Sequence, residues 1–279
     1  MRHLLENLDV IRRQMDRSRN FYFFLDYDGT LTPIVSRPDL AFLSLEAKRI
    51  LNRLQDCPQV FVAIISGRSL EDLYDKIRIP GITYVGNHGL EIRNPAGIHK
   101  KVLSANRKKE MWEIQATLKR NLGTLPGILF EDKESTFSIH YRMAVRESHR
   151  KVSKEIGQVI KKWGARWMVL RGKMVFEIRP RLEFHKGKAV KDLLKEMPET
   201  GLLPFCFGDD RTDEDAFRFL RDRGITVFVG PPESPSEAEY YLQNPGEVLE
   251  FLRRMAKTDP IRKWTAEKKQ AGRWERMVK

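Results

Sequence analysis

Five apolar, mostly aromatic residues, Phe21-Tyr22-Phe23-Phe24-Leu25, run straight into Asp26-Tyr27-Asp28-Gly29-Thr30-Leu31. An apolar run of that length reads as a buried strand, which puts the first carboxylate at the strand's carboxyl end. In open α/β sheets, ligands bind beyond that end. Two aspartates two positions apart, followed by a glycine to turn the backbone, suit covalent phosphoryl transfer. One carboxylate can attack phosphorus while the other handles the proton. An Asp-rich β-turn after a strand would look the same locally, so the rest of the chain must decide.

The rest supplies complementary parts in order. Phe61-Val62-Ala63-Ile64-Ile65 reads as a second buried strand, ending in Ser66-Gly67-Arg68-Ser69, with a helix expected over Leu70 to Ile77. A hydroxyl and free backbone N–H groups at a strand-to-helix junction form a phosphate seat. Arg68 could add a bidentate contact to the same phosphate. Lys186, in His185-Lys186-Gly187-Lys188, opens a later helix and offers a compact positive charge to a phosphoryl oxygen. Pro204-Phe205-Cys206-Phe207 reads as a short strand, followed by Gly208-Asp209-Asp210-Arg211-Thr212-Asp213-Glu214-Asp215. Carboxylates clustered after a strand suit Mg²⁺, a hard ion that takes oxygen ligands.

Strands and helices alternate through the first hundred residues. Glu46 to Leu54 is amphipathic, and Thr83-Tyr84-Val85 is a third strand, followed by Gly86-Asn87-His88-Gly89. That alternation predicts a parallel, doubly wound, Rossmann-like sheet. The middle of the chain breaks the pattern. Helices are expected over Ser104 to Leu122 and Ser148 to Trp163. Each is followed by a hairpin: Ile128 to Lys133 with Thr136 to Arg142, joined at Glu134-Ser135, then Arg166 to Leu170 with Met174 to Arg179, turning at Arg171-Gly172-Lys173. This is an α+β module of four strands backed by two helices, inserted as residues 103–181 between core segments 1–102 and 182–279. Alternation sorts its strands. Phe137, Ile139 and Tyr141, with Met174, Phe176 and Ile178, make apolar faces for the helices. Glu131 and Lys133, Ser138, His140 and Arg142, and Val175, Glu177 and Arg179 are left opposite. An ordinary solvated face would look alike, but mixed donors and acceptors are also what a neutral polyol requires.

Composition narrows the classes. An apolar fraction of 41% and a charged fraction of 32% over 279 residues are ordinary for a globular protein. No apolar run reaches the ~18 residues of a membrane span. Glu6, Asp9 and Arg12 interrupt any signal-peptide core behind Leu4-Leu5, so a cytoplasmic protein with no membrane partner is expected. Cys57 and Cys206 read as reduced core thiols. The net charge of +13 is unusual, and about half of it lies in Arg253 to Lys279, which also holds Trp264 and Trp274. Basic residues interleaved with aromatics could bind nucleic acid. A C-terminal amphipathic helix with docked tryptophans is the favoured alternative, and its positive potential would still steer an anionic substrate.

The ordered parts resemble the haloacid dehalogenase (HAD) superfamily of phosphohydrolases and, within it, the trehalose-6-phosphate phosphatase family. The resemblance is carried by Leu25 to Leu31, Ser66-Gly67-Arg68, Gly86-Asn87-His88-Gly89, Glu177-Ile178-Arg179-Pro180 with Lys186-Gly187, and Gly208 to Asp215. It implies a HAD-like core with the α+β module as a cap that closes over it. It implies Asp26 as nucleophile, Asp28 as acid and base, and Mg²⁺ held by Asp26, the Asp28 backbone carbonyl and Asp209. Ser66 and Lys186 would bind the phosphoryl oxygens. Asp210 and Asp213 would orient the metal's waters or Lys186. The family's sugar contacts map onto Glu131, Lys133, Arg142, Lys173 and Glu177, with Arg179 as an addition. Asn87 and His88 would either reach the sugar from below or form a plain left-handed turn. The implied substrate is trehalose 6-phosphate, taken by a monomer. The alternatives are sucrose phosphate, glucosylglycerol phosphate and mannosyl-3-phosphoglycerate, or, in a different class, a basic nucleic-acid-binding protein.

Overall fold

The computed structural model describes residues 1–100, 103–133, 136–181, 185–197 and 201–256. The basic segment after Ala256, both chain crossings between core and cap, and the Glu134-Ser135 joint fall outside them.

The core is one nine-stranded sheet. Its strands are β1 (Arg2–His3), β2 (Asn20–Leu25), β3 (Val60–Ile65), β4 (Thr83–Gly86), β5 (Glu91–Asn94), β6 (Gly97–Lys100), then, after the cap, β11 (Leu202–Gly208), β12 (Ile225–Val229) and β13 (Tyr240–Leu242). The cap supplies β7 (Leu129–Asp132), β8 (Phe137–His140), β9 (Trp167–Gly172) and β10 (Val175–Pro180). The core order is β1-β13-β12-β11-β2-β3-β4-β5-β6. Every pairing from β1 to β4 is parallel. Only the β5–β6 hairpin at one edge is antiparallel. That hairpin, and the strands β12, β13 and β1, were not anticipated from the sequence. β1 and β13 are only two and three residues long, whereas β12, Ile225-Thr226-Val227-Phe228-Val229, is a buried apolar run.

Alternation along β2 builds two core layers. Phe21, Phe23 and Leu25 face one side with α1 (Leu8–Asp16), α2 (Leu45–Gln55), α3 (Leu70–Ile77) and α8 (Pro245–Met255). Tyr22 and Phe24 face the other with α6 (Lys186–Lys195) and α7 (Glu214–Leu220). A strand buried on both faces has no polar side, which is why Phe21 to Leu25 reads as an unbroken apolar run. Both cysteines are free and buried in these layers. No described helix is long and apolar enough to cross a membrane.

The cap has its own core. Met111, Ile114 and Leu118 of α4 (Ala105–Leu122) and Val152 and Ile156 of α5 (Arg146–Trp163) pack on Phe137, Ile139, Phe176 and Ile178. Its sheet order is β7-β8-β10-β9. One expectation needs correcting. Gly172 pairs with Val175 inside the ladder, so the second hairpin turns at Lys173-Met174 rather than over residues 171–173. Met174 takes the left-handed conformation there (φ 67°). It therefore leaves the apolar face assigned to it and lines the cleft instead.

Phe205 is fully buried at the centre of β11, with its ring stacked on Phe23 at 4.7 Å and tilted against Phe251 at 6.0 Å. Phe205→Ala should cost about 3–5 kcal/mol. Urea unfolding should show the midpoint falling with the slope unchanged.

Candidate active site

The register of two strands assembles the site. β2 and β11 pair with Leu25 opposite Phe207, and the Asp26 amide donates to the Phe207 carbonyl at 3.0 Å. Asp26 therefore leaves the end of β2 beside Asp209, one residue past the end of β11. The order of connections reverses at this point of the sheet, where a cleft for ligands is expected. Gly29 is required here. Its φ is +89°, and a Cβ would lie 2.1 Å from an Asp209 carboxylate oxygen.

Three buried carboxylates meet. Oxygens of Asp26, Asp209 and Asp213 all lie within 4.8 Å of one another. Lys186, at the first turn of α6, threads between two of them. Its Nζ donates to Asp26 Oδ1 at 2.5 Å and to Asp213 Oδ1 at 2.7 Å. Burial opposes the Lys186 charge, but Asp213 and Asp26 outweigh it and hold the ammonium above its usual range. Burial pushes the Asp26 carboxyl up, Lys186 pulls it back, and the Asp213 and Asp209 charges push it further up. Burial likewise takes Asp209 up to about 6 against the pull of Lys173. The site thus carries more negative charge than its lysines offset. An all-oxygen donor set with surplus negative charge fits Mg²⁺.

Asp28 points away from this cluster. Arg68 grips it with two hydrogen bonds, Nε to Oδ2 at 2.6 Å and Nη2 to Oδ1 at 2.7 Å. The same guanidinium donates from Nη1 to Asp72 at 2.6 Å and from Nη2 to the Pro38 carbonyl at 2.8 Å, and it lies over the Tyr27 ring. The structure thus places Arg68, expected at the phosphate, on Asp28 and Asp72. Its donors are committed to carboxylates and a carbonyl, not held free for a phosphate. Asp72, four residues on along α3, is the partner that sequence reading missed. Ser66 is buried beside Asp26 and lines the cleft, its Oγ accepting from the Arg68 amide at 3.1 Å. Asp213 lies behind Lys186 and also accepts the Asp210 amide at 3.1 Å.

The polar face of the cap sheet forms the roof. Glu131, Lys133, Arg142, Lys173 and Glu177 all line the cleft with the core residues. Lys173, in the β9–β10 turn, reaches down to Asp209 Oδ2 at 2.5 Å, and Arg142 donates to the Lys173 carbonyl at 2.8 Å. Glu131 pairs with His140 at 2.8 Å and lies 3.5 Å from the Lys133 ammonium. Glu177 lies 3.2 Å from His88 Nε2 and 3.6 Å from Lys133 Nζ. Burial opposes the Glu177 charge, but His88 and Lys133 hold its carboxyl down at about 2. Asn87 and His88 form the left-handed turn expected as the alternative. Asn87 and Arg179 are buried but do not line the cleft. Asn87 is turned to the cap backbone, while Arg179 lies behind Glu177, within reach of its charge and that of Asp215. The cleft also takes in Ser138 and His140, which share the polar face picked out by alternation, and Ile34 to Ser36, for which the sequence offers no signal.

The sheet order, the aspartates at adjacent strand ends and the inserted cap define a haloacid dehalogenase-like hydrolase fold. A hydrolase of that description from Bacteroides thetaiotaomicron matches 85% of this chain with a TM-score of 0.61 at 19% identity. The chain belongs to the trehalose-phosphatase family of phosphoric monoester hydrolases, whose family model matches residues 24–246. It is similar to a probable trehalose-phosphate phosphatase I of Arabidopsis thaliana, 35% identical over 90% of this chain and 71% of that protein. A trehalose-phosphate phosphatase of Mycobacterium tuberculosis is 34% identical over 84% of this chain and 61% of its own length. Among solved structures, the C-terminal domain of the C. albicans trehalose-6-phosphate phosphatase matches with a TM-score of 0.79 at 28% identity, covering 90% of this chain and 97% of that one.

The depressed Glu177 carboxyl has a consequence for stability. Its stabilising contribution is complete above the ordinary value of 4.5 and is lost as pH falls towards about 2. At ~1.4 kcal/mol per pH unit the contribution is at most roughly 3 kcal/mol. Urea unfolding of Glu177→Gln should therefore show a shallower loss of stability than the parent between pH 5 and pH 3, with the two curves converging at the acid end.

Proposed function

We propose that this protein hydrolyses trehalose 6-phosphate to trehalose and inorganic phosphate through an aspartyl-phosphate intermediate, with Mg²⁺ bound. One observation carries the reading. A buried carboxylate, Asp26, bonded to a buried lysine, shares one cleft with a cap face of alternating Glu, Lys, His and Arg. The first half fits phosphoryl transfer and the second fits a polyhydroxylated leaving group.

Asp26 attacks phosphorus, forming a new P–O bond as the bond to the sugar oxygen breaks. Lys186 and Ser66 hold the phosphoryl oxygens. Asp28 leaves Arg68, takes up a proton from solvent, gives it to the departing sugar oxygen and then takes one from the water that opens the acyl phosphate, freeing Asp26 and phosphate. Asp26, Asp209 and the Asp28 backbone carbonyl would hold Mg²⁺, which supplies positive charge to offset the repulsion between carboxylate and phosphate. Glu131, Lys133, Arg142, Lys173 and Glu177 receive the sugar hydroxyls. The lack of a membrane-spanning helix among the described residues is compatible with a cytoplasmic location.

The test is a phosphate-release panel over trehalose 6-phosphate, sucrose phosphate, glucosylglycerol phosphate, mannosyl-3-phosphoglycerate and glucose 6-phosphate. Trehalose 6-phosphate should lead in kcat/KM, by up to ~10⁴ over a sugar that leaves cap groups unpaired. Equal efficiency on glucose 6-phosphate would remove the case for cap recognition. Asp26→Asn should abolish turnover on all of them while thermal unfolding stays within a few degrees of the parent. Chelation by EDTA should stop turnover, and added Mg²⁺ should restore it.

A further inference from the structure

Three loops meet where the cap rests on the core, and Asn87 ties all three. The first is the phosphate loop Ser66-Gly67-Arg68. The second is Asn87-His88-Gly89, after β4. The third is the cap hairpin around Lys133 and Thr136. Asn87 and His88 are consecutive non-glycine residues in the left-handed region, with φ of 48° and 55°. Such a pair is strained unless its surroundings enforce it. Here the enforcing contacts are clear. The Asn87 amide donates to the Arg68 carbonyl at 2.7 Å, and the His88 amide donates to the Ser66 carbonyl at 3.0 Å. The loop is therefore clamped to both residues flanking Gly67. Gly67 itself has no room for a side chain, because a Cβ would lie 2.6 Å from the His88 ring.

The Asn87 side chain then crosses from core to cap. Its Nδ2 donates to the Lys133 carbonyl at 3.1 Å, and its Oδ1 accepts from Thr136 Oγ1 at 3.3 Å. Both Asn87 and Thr136 are fully buried. The Lys133 ammonium returns the contact by donating to the Gly67 carbonyl at 2.8 Å. The amide is bonded at both ends to the cap, its backbone to the phosphate loop, and it does not line the cleft.

We propose that Asn87 is a positioning residue that locks the cap hairpin in register with the phosphate loop, and so fixes the spacing between the phosphate grip and the sugar grip. The claim about the sugar grip rests on the functional reading above; the lock itself does not. A substrate with the right span between phosphate and hydroxyls gains from both grips only while the lock holds. A small phosphate ester that never reaches the cap gains little from it. Asn87 thereby acts on discrimination between substrates rather than on the chemical step.

The decisive variant is Asn87→Gly, which keeps the left-handed backbone free of strain and removes only the amide. Its partner is Thr136→Val, which keeps the side-chain shape and deletes one hydrogen bond. Two quantities are read on the full chain. The first is hydrogen exchange at Lys133, whose amide bonds the Thr136 carbonyl at 3.0 Å, in protein free of substrate. The second is the ratio of kcat/KM for trehalose 6-phosphate to that for p-nitrophenyl phosphate. N87G should speed the exchange and lower the ratio by about tenfold or more, the worth of two hydrogen bonds. T136V should lower the ratio less, and should add nothing in the N87G background, because the bond it deletes is already gone. Effects that multiply in the double variant, or an unchanged ratio, overturn the proposal. Should N87G fail to fold, T136V decides: no change in exchange or ratio overturns it. If the parent shows no preference for trehalose 6-phosphate, the functional reading fails, and exchange in N87G still decides the lock.

Discussion

Burying Asp26, Asp209 and Asp213 together is the constraint from which the rest of this structure follows. Carboxylates within 4.8 Å of one another in a desolvated site repel strongly, and each loses its hydration. Lys186 is the internal answer. It occupies the first turn of a helix whose N-terminus faces the cluster, and its ammonium bridges two of the three acids. Such a group is worth more as a set than as pairs, since removing the lysine would strand two buried charges. Lys173 gives a second, conditional answer from the cap. It is half exposed and sits on a turn. Whatever binds between the acids and the cap must therefore contend with a cation that belongs to the lid rather than to the core.

The seam between cap and core is built differently from the interiors it joins. Each interior is apolar and closed on itself. The seam is crossed by polar contacts: His88 with Glu177, Asn87 with Lys133 and Thr136, Lys133 with the Gly67 carbonyl, and Lys173 with Asp209. Polar contacts of this kind can exchange their partners for water at modest net cost, whereas an apolar interface cannot be parted so easily. Among the described residues, the buried Oγ of Ser138, Oε1 of Glu177 and Nδ1 of His88 have no hydrogen-bond partner. A carboxylate, an imidazole and a hydroxyl with spare capacity suit a ligand rich in hydroxyl groups.

How much of this could be read from the sequence depended on how local the physics was. Strand β2 and the Asp26-Tyr27-Asp28-Gly29 turn were legible because an apolar run, a carboxylate pair and a forced glycine lie within ten residues. The cap was legible because its helices and hairpins carry clean periodicities, and alternation alone put Glu131, Lys133 and Glu177 on the face that lines the cleft. The misses are contacts made at a distance. Asn87 sits in a motif that reads as ligand-facing, yet its side chain points to a backbone 46 residues away. The turn at Lys173-Met174 slipped by one position because a β-ladder can keep Gly172, which a pattern reader takes as turn chemistry. β1 and β13 carry too few residues for a pattern, whereas β12 is a plain apolar run, Ile225 to Val229, that periodicity could have found.

Arg68 shows how much its place in the fold adds to a residue's type. An arginine after a strand, beside a serine, looks like a phosphate clamp. In the fold its side chain is nearly buried, while the carboxylates of Asp28 and Asp72 that it holds are each 39% exposed. Turning the guanidinium towards a phosphate would break two charge-assisted contacts to Asp28, one to Asp72 and one to a carbonyl, and would strand a buried cation during the move. Turning Asp28 instead breaks only its own two bonds, and its exposed side can be solvated as it goes. The mobile member of the pair is therefore the aspartate. Arg68, held by four contacts, is the fixed member of the pair.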